Sequence, residues 1–281
     1  ALASWCGFRA WRVILVDLGA ELPTTAALRV FYLGQLTKYL PGKVWPIVAQ
    51  ARLGRAYRVP QRASAAAALL VMLVSLGTGL VLTMVLLPLL GHQAFERARW
   101  TVLVLPLALA ACWPPLLNRG IALLLRWAGR EPLPRPLTRR GVGRAVGWSL
   151  TAWLAYGVHL WLLLADLDAA GAGVSRSGVA GTGFSLAELV ELLLRSVGAF
   201  AGSWAIGFLL AVAPAGVGPR EVALPLLLDG AVSQPVALVA AVVSRLLLTI
   251  VDLVAPGVAV LAERVRRRAA TRDVPGATRQ V

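Results

Sequence analysis

The sequence predicts an all-α, polytopic membrane protein, and three observations predict it. Of its 281 residues, 58% are apolar and only 15% are charged, against about 45–50% and about 25% in soluble domains. Mean hydropathy is +0.75. Several stretches run the length of a bilayer without a charge. Together these exclude a soluble enzyme, a disordered chain and a fibrous protein. The net charge of +15 comes from 26 Arg and 2 Lys against 13 acidic residues. There is no soluble basic domain to receive nucleic acid, so the charge is read as setting topology and meeting anionic lipid. Cys6 and Cys112 are too few and too distant for a metal site or a disulfide framework. Neither metal nor cofactor is expected.

The elements follow in order. Residues 2–18 read as the end of a helix carrying Arg9 and Arg12, and the apolar start at Ala1 leads us to expect a further N-terminal segment before it. The uncharged runs 63–90, 101–118 and 145–165 are full spans, and in the last of them His159 alone is ionisable. Residues 236–262 form another, although they contain Arg245 and Asp252. That makes about five full spans. Two further apolar regions are broken: 24–58 at Pro41-Gly42 and Pro46, and 186–230 at Pro214-Ala215-Gly216-Val217-Gly218-Pro219. Proline removes a helix donor and glycine weakens the helix. Each region is expected to split into two half-helices that re-enter on the same side. The alternative is a surface loop between ordinary helices.

Charge supports one orientation. The segments 52–62, 119–144 and 263–281 hold 17 arginines, against three on the opposite side (Arg97, Arg99 and Arg176). The positive-inside rule therefore puts the first group, including a basic loop at 119–144 and the basic C-terminal tail, in the cytoplasm of an inner or plasma membrane. The alternation holds only if both broken regions enter and leave on one side.

The broken regions also align with each other at one constant offset and without gaps. Gly34 meets Gly207, Pro41 meets Pro214, Val44 meets Val217, Pro46 meets Pro219 and Gln61 meets Gln234. Each is followed by a long apolar helix. We read a single transmembrane domain containing an inverted repeat, with one copy at about 24–90 and the other at about 186–262. Transporters of this kind hold their site near the midplane, where broken helices meet.

An ionisable residue at membrane depth is costly, about 2.5–3.5 kcal/mol on insertion scales, and so marks a functional candidate. Arg245 and Asp252 lie two turns apart on one helix face. They form either an internal pair or a cavity lining in which Arg245 meets an anionic headgroup. Arg220 and Glu221 open the half-helix after the second break, where free backbone N–H groups favour anions. Glu221 is also suited to capping that helix. Lys38 and Lys43, the only lysines, flank the first break and either line the site or snorkel to the surface. Glu191 and Arg195 read as a pair along one helix face, His159 as a packed histidine, and Trp100 and Trp148 as interface residues. The structural breaks are Pro41, Gly42, Pro214, Gly216 and Gly218. No Walker A, HExxH or GxSxG motif is present. Asp166 and Asp168 are the only candidates for an intramembrane transferase.

The stretch Lys38-Tyr39-Leu40-Pro41-Gly42-Lys43-Val44-Trp45 resembles the "YLPGKVW" segment of the lysylphosphatidylglycerol synthase transmembrane-region family of flippase-like proteins. Residues 214–221 resemble its "PGGLGxRE" segment, with Ala215 where the family usually has Gly, and the turn is expected to survive that change. Arg245 falls where the family carries an Arg. The resemblance implies about eight membrane segments and a role in moving or presenting lipid. The expectation is a stand-alone member, lacking the family's aminoacyl-transferase domain. Such a member is expected to be flippase-like and not an enzyme, binding and translocating an anionic phospholipid or lipid-linked carrier. Arg220 and Arg245, with Lys43, would neutralise the headgroup phosphate. Glu221 would hold the two arginines apart or couple release to protonation. The alternative is a non-transporting partner that presents lipid to a separate lipid-modifying enzyme.

Overall fold

The computed structural model describes residues 1–86, 88, 105–110, 112–133, 135–169, 186–210 and 214–272. The chain is an all-α, multi-pass membrane protein. Its helices are α1 (Leu2–Asp17), α2 (Thr24–Leu36), α3 (Trp45–Arg55), α4 (Gln61–Leu86), α5 (Leu105–Ala110), α6 (Pro114–Trp127), α7 (Arg139–Ala169), α8 (Leu186–Leu209), α9 (Pro219–Leu227) and α10 (Gln234–Arg272). Four of them, α4, α7, α8 and α10, are long and apolar enough to cross a membrane.

The offset in sequence is also an offset of structure. Helix α2 ends at Leu36 and α8 at Leu209, while α4 begins at Gln61 and α10 at Gln234. Both pairs keep the spacing that relates Pro41 to Pro214. The intervening helices α3 and α9 begin and end within one residue of that register. Proline sits in the first turn of each, Pro46 in α3 and Pro219 in α9, where its missing N–H leaves nothing unsatisfied.

Side-chain contacts fix the relative directions. Thr25 bonds Glu263, and Tyr39 bonds Thr249 and Asp252, so α2 runs antiparallel to α10. Glu221 pairs with Arg245, and the Gln234 amide reaches the Pro225 carbonyl, so α9 is antiparallel to α10. The stem of Arg220 lies over Gly207 and Leu227 lies against Gly202, so α9 is antiparallel to α8 as well. Helices α2 and α8 therefore point in opposite directions. The repeat is inverted, and α4 packs on α8 as α10 packs on α2.

Among the described residues two large apolar clusters hold the bundle, with a small third around Leu80, Ala108 and Ala205. One joins Phe8, Trp11, Ile14 and Leu15 of α1 to Phe31 and Tyr32 of α2 and to Leu70 and Val74 of α4. The other joins Leu160 and Leu164 of α7 to Phe200 of α8, Leu224 of α9 and Ala237 of α10. Hydroxyls bind the helices between them. The Trp153 indole donates to Thr78 Oγ1 at 3.1 Å, and Thr78 and Ser149 share a 2.8 Å bond. These are the small polar contacts that join helices in lipid.

Four expectations need correction. Residues 101–118 are not one continuous helix, because α5 ends at Ala110 and Pro114-Pro115 start α6. The segment 119–144 is not a loop throughout: it comprises the rest of α6, a connection and the first turns of α7. Arginine is tolerated on α6 because this helix is amphipathic, burying Leu117 and Ile121. The basic tail is helical to Arg272, and residues 273–281 lie outside the described residues. In the second broken region only the returning arm is short. Helix α9 has 9 residues, but α8 has 24, enough to cross a bilayer. Trp100, Arg97, Arg99 and Arg176 also lie outside the described residues. Trp148 packs against the first cluster beneath the Arg9 guanidinium, 4.9 Å from its ring.

Candidate functional site

The tips of the two hairpins meet at a cavity of about 260 Å³. Lys43 from the first tip donates to the Gly207 carbonyl of the second at 3.2 Å. That carbonyl is available because α8 stops two residues later, leaving its last carbonyls without helical donors. The ammonium also lies 4.2 Å from the Phe208 ring. A lysine at this position favours the negative end of α8. It has three N–H donors, and the carbonyl takes one.

In each hairpin a glycine of the outgoing helix admits a polar side chain from the returning helix. The Gln50 stem occupies the space a Cβ would take at Gly34, and the Arg220 stem does the same at Gly207. Both polar ends line the cavity. Gln50 is 1% exposed, and its amide oxygen has no hydrogen-bond partner among the described residues. The Arg220 guanidinium lies 5.1 Å from the Phe200 ring, which in turn stacks on Tyr156 at 4.8 Å. Among the described residues Arg220 has no carboxylate partner.

The other charges are paired, and each pair ties one hairpin to α10. Lys38 Nζ lies 2.6 Å from Asp252, which also accepts the Tyr39 hydroxyl at 2.8 Å. Arg245 pairs with Glu221, whose second oxygen accepts the Gly218 N–H at 2.7 Å. The Arg245–Asp252 pair allowed by the sequence is not formed. Two helical turns separate the residues by about 10 Å, so each reaches a different hairpin. Lys38 is engaged by Asp252, and Glu221 binds Arg245 and not Arg220. Among the described residues four cations and two carboxylates thus meet here, and Lys43 and Arg220 supply the excess.

The breaks behave as expected at Pro41, Gly42, Gly216 and Gly218, the three glycines taking positive φ of 91°, 72° and 89°. Pro214 begins a short 3-10 turn. Ala215 adopts φ 50° in that turn, so the turn survives without glycine. Tyr39, Gln50, Tyr156, Trp204 and Phe208 line the cavity and were not singled out from sequence. The repeat alignment held a signal for one of them, since Gly34 and Gly207 are equivalent and each needs a partner.

Elsewhere, Arg195 and Glu191 pair at 2.5 Å, and His159 shares a 3.1 Å bond with Ser244. Asp166 does not line the cavity, and the side chain of Asp168 lies outside the described residues. Among the described residues no three His, Cys, Asp or Glu side chains gather as a metal site. Chemically, the cavity offers two cations, a buried amide and aromatic walls. Its volume, about 260 Å³, falls just below the range of about 300–1,000 Å³ for drug-sized ligands. No known family model matches the chain, and no curated protein or solved structure matches it either.

Proposed function

We propose that this protein binds the phosphate headgroup of an anionic phospholipid or lipid-linked carrier in the central cavity and carries it across the membrane. The observation that carries the reading is the pair of cations without carboxylate partners among the described residues, Lys43 and Arg220, at the meeting point of two oppositely directed hairpins. A charge held at membrane depth needs compensation, and an anion between these groups would supply it. Arg220 offers a planar fork of donors suited to phosphate oxygens. The inverted repeat supports alternating access, because either hairpin can part from the other about a fixed site. The resemblance to the lysylphosphatidylglycerol synthase membrane region points the same way. In this reading the membrane is a bacterial-type inner membrane, and the arginine-rich end faces the cytoplasm.

The test is transport by purified protein in liposomes, followed with a fluorescent phosphatidylglycerol that is quenched only in the outer leaflet. Wild type should equilibrate the label, and Arg220→Gln should slow it at least about tenfold, one charge-assisted contact being worth that much. Arg245→Ala should also stop transport, by releasing Glu221 and the second hairpin. Undiminished transport by Arg220→Gln in folded protein would overturn the reading. Binding without any transport by wild type would replace it with a protein that presents lipid to a separate enzyme.

A further inference from the structure

A second concavity, of about 800 Å³, lies between α3, the start of α4 and α6, at the arginine-rich end of the molecule. Its floor is apolar and includes Ile47, Val48, Leu69, Ile121 and Leu124. Its rim carries Arg52, Arg55, Arg58, Arg62 and Arg130. Among the described residues the only carboxylate on these arginines is Glu131, which pairs with Arg62, and the other four have no ion pair. An apolar floor under a rim of unpaired cations is complementary to one kind of occupant, a lipid with an anionic head and an extended chain.

The backbone supplies a second observation. Helix α3 ends in a turn where Val59 N–H bonds the Gly54 carbonyl at 3.2 Å and Arg58 N–H bonds the Arg55 carbonyl at 3.0 Å. The residue in the left-handed position of such a turn is usually glycine. Here it is Arg58, at φ 61°. A long side chain is thus kept where the backbone favours none, and a strained position of this kind points to a use for the side chain. Its guanidinium is exposed on the groove rim.

We propose that this groove is a binding site for one anionic phospholipid of the surrounding leaflet, separate from the central cavity. The phosphate sits among Arg55, Arg58 and Arg130. One acyl chain lies along Ile47, Val48 and Leu124. The site does not depend on the transport reading and would persist if that reading failed.

Native mass spectrometry of the full chain in detergent tests this, with phosphatidylglycerol or phosphatidylcholine added. A background carrying both Arg220→Gln and Lys43→Gln removes the two unpaired cations of the central cavity, so that the groove is read alone. In that background one phosphatidylglycerol should be retained at least about tenfold over phosphatidylcholine, and Arg58→Gly and Arg55→Gln should each weaken it about fivefold. Arg58→Gly is informative because it relieves the left-handed strain: its melting temperature should hold or rise while lipid is lost. Arg55→Gln, on the regular helix, gives the second reading. Glycerol phosphate without acyl chains should not compete. Full retention by both variants, equal retention of the two lipids, or competition by the free headgroup would each overturn the site.

Discussion

The two hairpins share a plan and divide its chemistry unequally. Each has an outgoing helix with a glycine near its end, a Pro/Gly tip and a returning helix that lays one polar side chain across that glycine. In the first hairpin that side chain is the neutral Gln50; in the second it is Arg220. The clamps to α10 are also reversed. The first hairpin supplies the base, Lys38, to an acid on α10, while the second supplies the acid, Glu221, to a base on α10. An inverted repeat can therefore keep its backbone symmetry while its charges become specialised. The second hairpin brings the guanidinium, and the first brings the Lys43 ammonium and the Gln50 amide. Helix α10 serves as a common post, with Arg245 and Asp252 facing opposite tips.

The largest expected effect separates the clamps. In the Glu221–Arg245 pair the side chains are only 19% and 22% exposed. Removing one partner strands the other charge, at a cost of about 3 kcal/mol, the low end for buried pairs. Glu221→Gln should therefore lower the thermal midpoint markedly, read by tryptophan fluorescence at one fixed scan rate. The double change Glu221→Leu with Arg245→Met should recover most of that loss, because no charge is then left alone. Asp252→Asn should cost only about 1 kcal/mol, since Lys38 is 33% exposed and Tyr39 can still donate to the new amide. Equal losses at the two clamps would mean that the hairpins are held alike and that the asymmetry is only one of residue type.

Next in size is the glycine pair. A Cβ at Gly207 would collide with the Arg220 stem, and a Cβ at Gly34 with the Gln50 stem. Gly207→Ala should displace the guanidinium and weaken binding of a fluorescent phosphatidylglycerol about tenfold, about what one charge-assisted contact is worth. Gly34→Ala should weaken it only about threefold, because it displaces a neutral group. If Gly34→Ala proved the more damaging, Gln50 and not Arg220 would be the principal contact.

Much of this was legible in the sequence, and the remainder failed for identifiable reasons. The register of the repeat was readable because proline and glycine act locally, so equal spacing of Pro41 and Pro214 fixed the tips and the helix ends around them. The split near Cys112 was hidden because an uncharged run scores as a span even where Pro114-Pro115 restart the helix. Arg119 and Arg126 read as part of a loop because charge counting does not register an amphipathic face. The partners of Arg245 and Asp252 were out of reach in principle. A shared helix face shows that both point to one side, but not which hairpin stands opposite each. Both acids of the clamps have proline four residues on, Pro225 after Glu221 and Pro256 after Asp252. Proline withdraws the helical donor from their backbone carbonyls, so the helices are locally weakened where the hairpins are tied.

The smallest expected effect tests the symmetry at its most local. Gly42 and Ala215 are equivalent in the repeat, and both adopt positive φ, 91° and 50°. The left-handed conformation costs a residue with a Cβ about 1–2 kcal/mol, while glycine brings about 0.5–1 kcal/mol of extra chain entropy to overcome. Ala215→Gly should therefore raise stability by about 0.5–1 kcal/mol, the difference of the two. Gly42→Ala should lower it by somewhat more, because its larger φ lies further from the left-handed minimum. Opposite signs in the thermal midpoints would show one backbone turn realised twice with different residues. A loss from Ala215→Gly would instead mean that the alanine methyl is needed for packing beneath Arg245, whose guanidinium reaches the Ala215 carbonyl at 3.4 Å. In that case the second tip is held by side-chain contact, where the first relies on glycine alone.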